Sequence, residues 1–391
     1  MLQDARRTTY RSIFMKNPTA TWIRQITEIP SLTLAQYAPH ITLIGRNEIS
    51  NEMTIQQKIV AVFGGTGNQG SAVVRSLLLN QKGDFEVRVI TRDVNSPAAK
   101  ELLSLGAKTV CADARDHDQL VAAFRGAWGA FINSNSDHHG ADNELHLPNV
   151  FDFDTAVLKA AQAAAVRHVV YSSGANVYRA TNGRVSLPGF DCKSFAEEYA
   201  QSHKMFTTFT PLLPASFMEC WTAEPFCETW GGFPLVLKEN GELVLSVPPY
   251  GGDGRMPWVS VQDDFGDIVH GIFLDPIHYD KQRVQAISSL VRFEDLALAY
   301  TRATGTPVKL QPLSSWAEVP QDGGDLRREC SLMFFYMEFC GGRWFAEYPS
   351  DDTAARDCKA AAANARGCMK STTIDFEEWF SRMHKERKRH A

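Results

Sequence analysis

The sequence predicts an α/β fold in which a doubly wound parallel sheet is followed by a smaller lobe. Between residues 58 and 171, short β-branched runs alternate with segments of helical periodicity. Such alternation indicates parallel strands joined by right-handed crossovers. A glycine-rich turn directly after the first predicted strand supports this fold class. The length of 391 residues exceeds the usual span of one hydrophobic core, so two lobes are expected.

The predicted elements of the sheet follow one another in regular order. The expected strands are Ile59–Phe63, Phe85–Thr91, Thr109–Cys111, Gly129–Asn133 and His168–Tyr171. The expected helices between them are Gln69–Asn80, Pro97–Leu105, Gln119–Phe124 and Thr155–Ala165. Because ligands of such sheets bind beyond the carboxyl ends of the strands, we expect functional residues directly after each strand.

The composition excludes several classes of protein. The chain is 44% hydrophobic and 22% charged, which is typical of a globular protein. It contains no run of about 18 apolar residues, so no membrane-spanning helix is predicted. A formal net charge of -5 offers no general attraction to nucleic acid or to anionic lipid. We therefore expect neither a nucleic acid nor a membrane as a partner.

The cysteines indicate a reducing compartment. Eight cysteines are dispersed along the chain, and none belongs to a Cys-x-x-Cys pair. Without a secretory signal they are typical of reduced thiols, and they argue against a disulfide scaffold or a zinc ribbon. We therefore predict a cytoplasmic location.

Both ends of the chain differ from the part between them. Residues 1–52 are rich in Thr, Ser and Arg without periodicity, so we expect a poorly structured extension before a compact fold that begins at Met53. The early excess of basic residues leaves a mitochondrial presequence as an alternative. Phe376–Met383 is expected to form an amphipathic helix, and residues 381–391 a basic, solvated tail. A nuclear-import or nucleic-acid role is the alternative for that tail.

A glycine motif carries the strongest functional signal. It comprises the consecutive residues Gly64, Gly65, Thr66, Gly67, Asn68, Gln69 and Gly70, between a predicted strand and a predicted helix. In this pattern Gly64 permits the tight turn, Gly67 lets the backbone approach a pyrophosphate, and Gly70 lets the helix pack close to the sheet. The amides at the helix N-terminus then face the phosphates. The motif predicts dinucleotide binding, with a purely structural turn as the alternative.

The end of the second strand indicates which dinucleotide binds. An NAD-binding protein usually places an acidic residue there to accept a hydrogen bond from the ribose 2′-hydroxyl. Here the strand ends in Thr91, Arg92 and Asp93, and the Arg92 guanidinium suits a 2′-phosphate. We therefore expect NADP(H), with an ordinary surface arginine as the alternative.

Polar residues also follow the third and fourth strands. Asp113 is placed to accept a hydrogen bond from the adenine amino group, or else to cap the next helix. Asn133, Ser134 and Asn135 suit contacts with the ribose and nicotinamide, or else form an Asx-type turn. Both sets lie where this fold class predicts ligand contacts.

Taken together, these residues resemble one protein family. Beside the glycine motif, Arg92 and Asp113, the resemblance rests on Val170-Tyr171-Ser172-Ser173, on Lys193 within Cys-Lys-Ser-Phe-Ala-Glu-Glu-Tyr, and on Pro214-Ala215-Ser216-Phe217-Met218-Glu219. From about Met53 to about Phe380 the chain resembles the NmrA-like family, which belongs to the atypical short-chain dehydrogenase/reductases beside the isoflavone-reductase-like enzymes. The resemblance implies a Rossmann NADP-binding domain over residues 53–215. It also implies a smaller C-terminal α+β substrate lobe over residues 216–380, with strands that can return to the main sheet.

The resemblance also assigns roles to individual residues. It implies that Gly65 to Gly70 hold the pyrophosphate and that Arg92 contacts the 2′-phosphate. It places Asp113 and Ala114 at the adenine. The residues implied at the ribose and nicotinamide are Asn133, Ser134, Asn135 and Lys193, with a closing segment formed by Phe217, Met218, Glu219 and Cys220. Cys220 stands where relatives commonly carry asparagine.

The proton donor of ordinary short-chain dehydrogenases is missing from the sequence. Their Tyr-x-x-x-Lys pair places a phenol beside a lysine that lowers its pKa. Gly189 stands four residues before Lys193, and none of the ten tyrosines has a lysine four positions later. A reductase of this sequence would take its proton from Lys193, from Ser173 through water, or from the substrate lobe.

Three interpretations of Lys193 remain open from the sequence. It is a general acid whose pKa is lowered by burial and a nearby cationic ring, or it only holds the cofactor ribose. Otherwise it is an exposed residue that starts a Lys193–Gln201 helix. Lysine is unfavourable at a helix N-terminus, which favours a cofactor role.

The second half of the chain alternates less regularly. The expected elements are the strands Leu243–Val247 and Trp258–Val261 and the helices Asp263–Leu274, Phe293–Ala303 and Ala354–Ala365. Asp263, Asp264 and Asp267 lie at a helix start, where carboxylates suit the dipole. We expect capping there, with a pair of catalytic acids as the alternative.

Two further segments are candidates for a substrate pocket. The aromatic residues after the closing segment either line a pocket for a flat apolar substrate or form the core of the smaller lobe; they are Trp221, Phe226, Trp230 and Phe233. The loop after the fourth strand has ligand-type side chains, namely Asp137, His138, His139, Asp142, Glu144 and His146. Their spacing is neither helical nor paired, so we expect a pocket rim or lid and no metal.

The sequence supports two functional hypotheses. The leading one is an NADPH-dependent oxidoreductase that reduces a carbonyl, imine or conjugated double bond of a small, aromatic or heterocyclic metabolite. The alternative is a non-catalytic NADP(H) sensor whose occupancy changes its binding to a regulatory protein partner. The missing tyrosine favours the sensor, whereas Lys193 and the aromatic stretch favour the enzyme.

Overall fold

A seven-stranded parallel sheet forms the centre of the protein. The computed structural model describes residues 57–134, 150–238, 241–319 and 325–390. The strands are β1 (Lys58–Phe63), β2 (Phe85–Thr91), β3 (Lys108–Cys111), β4 (Gly129–Ile132), β5 (His168–Ser172), β6 (Thr208–Pro214), β7 (Ser216–Phe217), β8 (Leu243–Val247), β9 (Arg255–Val259), β10 (Val284–Ala286), β11 (Ser289–Arg292) and β12 (Val308–Pro312). The helices are α1 (Asn68–Leu78), α2 (Pro97–Ser104), α3 (His117–Phe124), α4 (Val150–Ala163), α5 (Val177–Ala180), α6 (Pro188–Ser202), α7 (Glu224–Glu228), α8 (Gly266–Leu274), α9 (Phe293–Thr304), α10 (Asp325–Phe339), α11 (Thr353–Ala365) and α12 (Phe376–His390).

The order of the strands confirms the predicted fold class. The main sheet runs β10-β6-β5-β4-β1-β2-β3, and every neighbouring pair is parallel. The order reverses between β1 and β4, so their carboxyl ends frame the crevice in which open α/β sheets bind ligands. The first five predicted strands are all present, with ends within one residue of the prediction.

Both faces of the main sheet are buried. In β1, Val60 and Val62 pack into one apolar core, whereas Ala61 and Phe63 pack into a second core on the opposite face. Alternate residues of a strand point to opposite faces, so a strand covered on both sides is a continuous apolar run. This burial fixes β1 and places its glycine-rich carboxyl end at the edge of the sheet.

Two helices begin a full turn or more before the predicted residue. α6 begins at Pro188 rather than at Lys193, because proline suits the first turn of a helix, where its missing N–H leaves no bond unmade. α4 already begins at Val150, before the predicted start at Thr155. No helix within the described ranges is both long and apolar enough to cross a membrane.

The second half of the chain builds two small sheets and also completes the large one. β11, β9 and β7 form a three-stranded sheet, and β12 pairs with β8. β10 returns to the main sheet, where Val284 pairs in parallel with Leu212 of β6. The predicted strand Trp258–Val261 is displaced to Arg255–Val259, because Val261 opens a π-helical turn, Val261–Phe265, that leads into α8.

The aromatic residues that follow β7 are buried in the same core as one face of β1. Trp221, Trp230 and Phe233 are almost completely buried, and so is Trp258 of β9. The Trp221 ring lies 5.1 Å from Trp230 and 5.3 Å from both Phe233 and Trp258, between ring centroids. Large rings at these separations contribute much apolar burial. Of the two interpretations of this stretch, core packing is therefore the correct one for these residues.

The C-terminal helix is longer than predicted. α12 continues through His390, so the residues expected to form a basic tail from position 381 onward extend a helix instead. Trp379 and Phe380 are buried on its inner face. The Arg382 guanidinium donates two hydrogen bonds to the Asp263 carboxylate. These contacts hold the helix against the smaller lobe.

The acidic residues at the start of α8 belong to a buried ionic network. The Lys359 ammonium of α11 lies 2.6 Å from Asp267 Oδ2 and 3.0 Å from Asp264 Oδ1. Arg366 donates to the same Asp267 oxygen, and Ser76 of α1 donates to the other one. The capping expectation was wrong, because the Ser260 hydroxyl caps this turn. The three carboxylates are ion-paired instead, Asp264 and Asp267 with Lys359 and Asp263 with Arg382.

Replacing Lys359 by methionine is expected to destabilise the protein strongly. Methionine keeps much of the volume but leaves Asp264 buried without its cation, and breaking a buried ion pair costs about 3–5 kcal/mol. The measurement is the free energy of unfolding in urea. The matched control is Lys370→Met, because the exposed Lys370–Glu378 pair contributes about 0–1 kcal/mol. Equal losses in both variants would contradict a stabilising role for the buried network.

Candidate cofactor and active site

The glycine motif forms a tight cradle between β1, β4 and α1. Gly64 has a φ of +75°, a left-handed conformation that glycine adopts without strain. A Cβ on Gly64 would lie 2.4 Å from the Asn133 carbonyl oxygen, and one on Gly70 would lie 2.2 Å from the Gly64 carbonyl oxygen. On Gly65 it would lie 2.9 Å from Val89 Cγ1. Only hydrogen fits at these positions, as a loop that closely wraps a diphosphate requires.

The start of α1 is open to a negatively charged ligand. Gly67 occupies the N-cap position and offers no side chain to the first amides, and the first turn contains no acidic residue. Gly67 and Asn68 are exposed, and Thr66 is half-buried. Uncapped amides at the positive end of the helix dipole favour a phosphate. The Gln69 side chain reaches the carboxyl end of β5, where its Oε1 accepts a hydrogen bond of 2.8 Å from the Ser172 hydroxyl.

A charged residue follows β2, and another follows β3. Arg92 is exposed directly after β2. Hydrogen bonds from the Arg115 side chain and backbone lower the pKa of Asp113 to about 2, and the Arg92 charge acts in the same direction. The capping alternative for Asp113 is wrong, because Asp116 caps α3 instead. Ala114 packs partly buried against the core beside Asp113.

Lys193 connects α6 to the carboxyl ends of β4 and β5. Its Nζ donates to Ser134 O and Ser134 Oγ, both at 3.0 Å, and to Asn133 Oδ1 at 3.3 Å. A longer contact of 3.4 Å reaches the Ser172 carbonyl oxygen. Lys193 is half-buried in the second turn of α6, so the interpretation as an exposed residue at a helix start is wrong.

Tyr171 lies beside Lys193 but does not replace the missing phenol. The Lys193 ammonium is 5.8 Å from the centroid of the Tyr171 ring. The Tyr171 hydroxyl donates at 2.8 Å to Asp154 Oδ2, and both residues are completely buried. Burial raises the pKa of Tyr171 well above its ordinary value. Burial lowers the pKa of Lys193, and the Asp154 charge opposes this effect.

A buried serine and glutamate and a half-buried arginine lie next to Ser172 and Lys193. Ser173 directly follows β5, and its hydroxyl lies 2.5 Å from Glu197 Oε2. The Arg283 guanidinium, which precedes β10, pairs with Glu197 Oε1 at 3.0 Å. The sequence analysis did not identify Glu197 or Arg283. Glu197 follows Lys193 by four residues, so both lie on one face of α6, and this spacing is the signal that could have identified it.

The closing segment is built into the smaller lobe. Phe217 belongs to β7, and Met218 is completely buried. Glu219 Oε1 accepts hydrogen bonds from Ser260 Oγ at 3.1 Å and from the Gln262 amide at 3.0 Å. Burial raises the pKa of Glu219. The half-buried Cys220 lies beside it, and a cofactor contact by these four residues stays a prediction.

One predicted contact and the predicted lid lie outside the described residues. These are Asn135 and the loop residues from Asp137 to His146. Among the residues that the structure describes, no three His, Cys, Asp or Glu side chains are grouped to hold a metal ion. Some of the described candidates form one connected cluster, in which Ser172 links Gln69 to Lys193; its predicted members are Gly64, Gln69, Gly70, Asn133, Ser134 and Lys193. None of these contacts joins Arg92, Asp113, Ala114 or the closing segment to it.

The family of the protein follows from comparison with known sequences. A model of the NmrA-like family matches residues 56–336. The chain belongs to the NmrA-like family. It is 45% identical to NmrA-like family domain-containing oxidoreductase malD of Malbranchea aurantiaca over 338 residues, or 86% of this chain and 99% of the relative. It is 40% identical to the oxidoreductase FrzB of Cladobotryum sp over 313 residues, or 79% of this chain and 92% of the relative.

Solved structures share the fold of this NmrA-like chain. The negative transcriptional regulator NmrA in complex with NADP has a TM-score of 0.62 at 18% identity and covers 86% of this chain and 98% of its own. Citrobacter sp. triphenylmethane reductase complexed with NADP(H) has a TM-score of 0.55 at 17% identity and covers 83% of this chain and 99% of its own. The sequence resemblance to the NmrA-like family is thus confirmed.

Adding one methyl group at Gly70 is expected to disrupt the cradle of this NmrA-like protein. In Gly70→Ala the new Cβ meets backbone atoms of Gly64 and Gly65, which cannot move aside as a flexible side chain would. Overpacking of this kind costs about 1–3 kcal/mol. The control is Gly67→Ala, whose Cβ has its nearest contact at 3.3 Å. In thermal unfolding, the Tm should fall strongly for Gly70→Ala and only slightly for Gly67→Ala. A larger fall in Tm for Gly67→Ala would contradict this geometry.

Proposed function

We propose that this protein is an NADPH-dependent oxidoreductase that reduces a carbonyl, imine or conjugated double bond of a small, aromatic or heterocyclic metabolite. The observation that carries the proposal is that the glycine cradle and the Lys193 cluster lie at the same edge of the sheet. NADPH bound there would supply the hydride. The protein would bind it, orient it and exclude water.

The preference for the phosphorylated cofactor rests on Arg92. This exposed guanidinium follows β2, where the ribose 2′ position lies in this fold class. A planar guanidinium pairs with a phosphate through two parallel hydrogen bonds. Asp113 remains ionised near Arg92, and it stays a predicted acceptor for the adenine amino group. The NADP(H) complex of triphenylmethane reductase supports this choice, whereas NmrA has been crystallised with both NADP and NAD.

The role of Lys193 in this proposal is to position the cofactor. Its ammonium is already held by Asn133 and Ser134, the residues proposed to lie beside the ribose and nicotinamide. The ammonium has three N–H donors and four acceptor atoms within 3.4 Å, so it would exchange one of these contacts for a ribose hydroxyl of the bound cofactor. The Tyr171 hydroxyl is buried and donates its hydrogen bond to Asp154, so the proton for the reduced substrate has to come from another group.

A non-catalytic NADP(H) sensor is the second candidate. Two observations favour it: the absence of a Tyr-x-x-x-Lys pair, and the sealed phenol of Tyr171 beside Lys193. In a sensor, cofactor occupancy would change affinity for a regulatory protein. NmrA, a negative transcriptional regulator, has the same fold.

Loss of NADPH absorbance in the presence of candidate substrates separates the two functions. Purified protein is mixed with NADPH and a panel of aromatic and heterocyclic carbonyl, imine and enone compounds. We expect turnover with at least one class. Tight NADPH binding in calorimetry without turnover of any compound would favour the sensor, and no binding of either nicotinamide cofactor would refute both functions.

Replacing Lys193 by alanine is expected to weaken cofactor binding more than it slows turnover. Loss of one hydrogen bond from a charged group costs about 1.5–3 kcal/mol, which is about 10–100-fold in the Kd for NADPH. Calorimetry gives this Kd, and steady-state kinetics give kcat. Lys159→Ala is the control, because Lys159 is exposed on α4. A loss of kcat with unchanged NADPH affinity would instead make Lys193 the proton donor.

Replacing Arg92 by alanine is expected to change the choice of cofactor. The Kd for NADPH should rise about 10–100-fold through loss of charge-assisted hydrogen bonds to the 2′-phosphate. The Kd for NADH should change little, because NADH lacks that phosphate. Arg75→Ala, which removes an exposed arginine paired with Glu101, serves as the control. Equal effects on both cofactors would contradict the assignment of Arg92.

A further inference from the structure

The Ser173–Glu197 pair is a buried hydrogen bond at the carboxyl edge of the main sheet. Ser173 and Glu197 are 3% and 4% exposed, and their oxygen atoms are 2.5 Å apart. Ser173 adjoins Ser172, whose carbonyl oxygen contacts the Lys193 ammonium. The pair thus lies within the region where ligands of this fold bind, one residue away from the proposed cofactor cluster.

Arg283 pairs its positive charge with Glu197, and its side chain is partly exposed to solvent. Its guanidinium lies 3.0 Å from Glu197 Oε1 and donates to the Gly174 carbonyl oxygen at 3.3 Å. The Arg283 side chain is 23% exposed, whereas that of Glu197 is 5% exposed. The Tyr348 ring covers the guanidinium at 5.4 Å. A carboxyl group in this position can exchange its proton with solvent on the Arg283 side and with Ser173 on the other.

The reduction of a polar double bond needs a proton, and the Tyr-x-x-x-Lys pair that usually supplies it is missing from this sequence. The only phenol that contacts Lys193 in the described ranges, Tyr171, is hydrogen-bonded to Asp154 and buried. A serine hydroxyl is a weak acid by itself and transfers a proton efficiently only when a neighbouring acid restores it. Glu197 is the acid within hydrogen-bonding distance of Ser173.

We propose that Glu197 is a positioning residue that acts through Ser173, aligning the Ser173 hydroxyl and restoring its proton during reduction of the substrate. This inference rests on the proposed function. The substrate carbon receives the hydride with its electron pair, and the Ser173 O–H bond breaks as its proton moves to the substrate heteroatom or neighbouring carbon. The Glu197 O–H bond then breaks to restore the serine. The resulting carboxylate is paired with Arg283 until solvent returns a proton.

The charges around Glu197 determine how the return of a proton to Ser173 depends on pH. Burial raises the pKa of Glu197, and the Arg283 charge and the Ser173 hydrogen bond lower it. Glu198 on the same helix raises it. The phenol of Tyr171 on β5 is neutral, because its pKa is raised further. Since the protonated form restores the serine, kcat should fall as the pH rises through the pKa of Glu197.

The Glu197→Gln variant tests the proposal, with Glu198→Gln as the matched control. Glutamine preserves the shape and a hydrogen bond to Ser173 but holds no transferable proton. Proton transfer by a positioned group contributes about 10²–10⁴-fold, so we expect kcat to fall at least about tenfold. The alkaline decrease in kcat should disappear, while the Kd for NADPH and the Tm stay near wild type. Glu198 pairs with Arg179 at the surface, so Glu198→Gln should keep kcat near wild type and retain the alkaline decrease, with its midpoint moved only slightly to lower pH by loss of the Glu198 charge.

The Arg283→Gln variant gives an independent result. Removing the positive charge should raise the pKa of Glu197, so the alkaline decrease in kcat should move to higher pH. Arg179→Gln, which removes an exposed arginine, should not move it. If Glu197→Gln does not fold, Arg283→Gln decides the proposal. An unchanged pH profile in either folded variant, or a lowered Tm with wild-type kcat, would reduce the pair to a structural contact.

Carbon-13 NMR of the labelled glutamate carboxyl groups provides a readout without turnover. The Glu197 signal, assigned by its loss in Glu197→Gln, should titrate above the ordinary range. Ser173→Ala should move its midpoint upward, because the hydroxyl no longer stabilises the carboxylate. A midpoint that does not respond to Ser173 or Arg283 would overturn the inference. Failure of the proposed function is a different result: the wild-type protein itself would then oxidise no NADPH with any compound.

Discussion

The close contact between the backbone of α1 and the turn after β1 is the constraint on which the rest of the site depends. Gly70 removes the side chain that would separate them, and on the other side of α1 a Cβ on Gly266 would lie 2.2 Å from the Ala72 carbonyl oxygen. The helix is therefore held between two glycine contacts, one with the sheet and one with α8. The direction of its open N-terminus, and with it the geometry of any bound diphosphate, follows from this packing.

Much of this arrangement was predictable from local sequence. Strands buried on both faces are continuous apolar runs, so β1 to β5 were recognisable, and the glycine spacing identified the turn between β1 and α1. The start of α6 was misjudged, although Pro188 is a typical first-turn residue. The exposed interpretation of Lys193 followed from that error. A helix that begins five residues earlier points this lysine at Asn133 and Ser134 instead.

The contacts that could not be predicted from the sequence are those between segments distant along the chain. Lys359 meets Asp267 across 92 positions of the chain, and Arg283 meets Glu197 across 86. Neither spacing carries a periodic signal, because tertiary packing alone brings these charges together. The same holds for Trp221, a predicted pocket residue that is buried against Trp258 of a distant segment. Local patterns therefore predicted the glycine turn better than the groups that surround it.

The return of β10 to the main sheet links the two halves of the protein through the backbone. A fragment that ended after β6 would leave the backbone hydrogen-bonding groups of Leu212 and Leu213 without their parallel neighbour. An apolar strand edge of this kind is a template for aggregation. Recombination at that position would therefore expose an aggregation-prone edge, so the two halves of the chain are not expected to exchange between relatives as independent cassettes. Sequence change after β6 would have to preserve the pairing of β10 with β6.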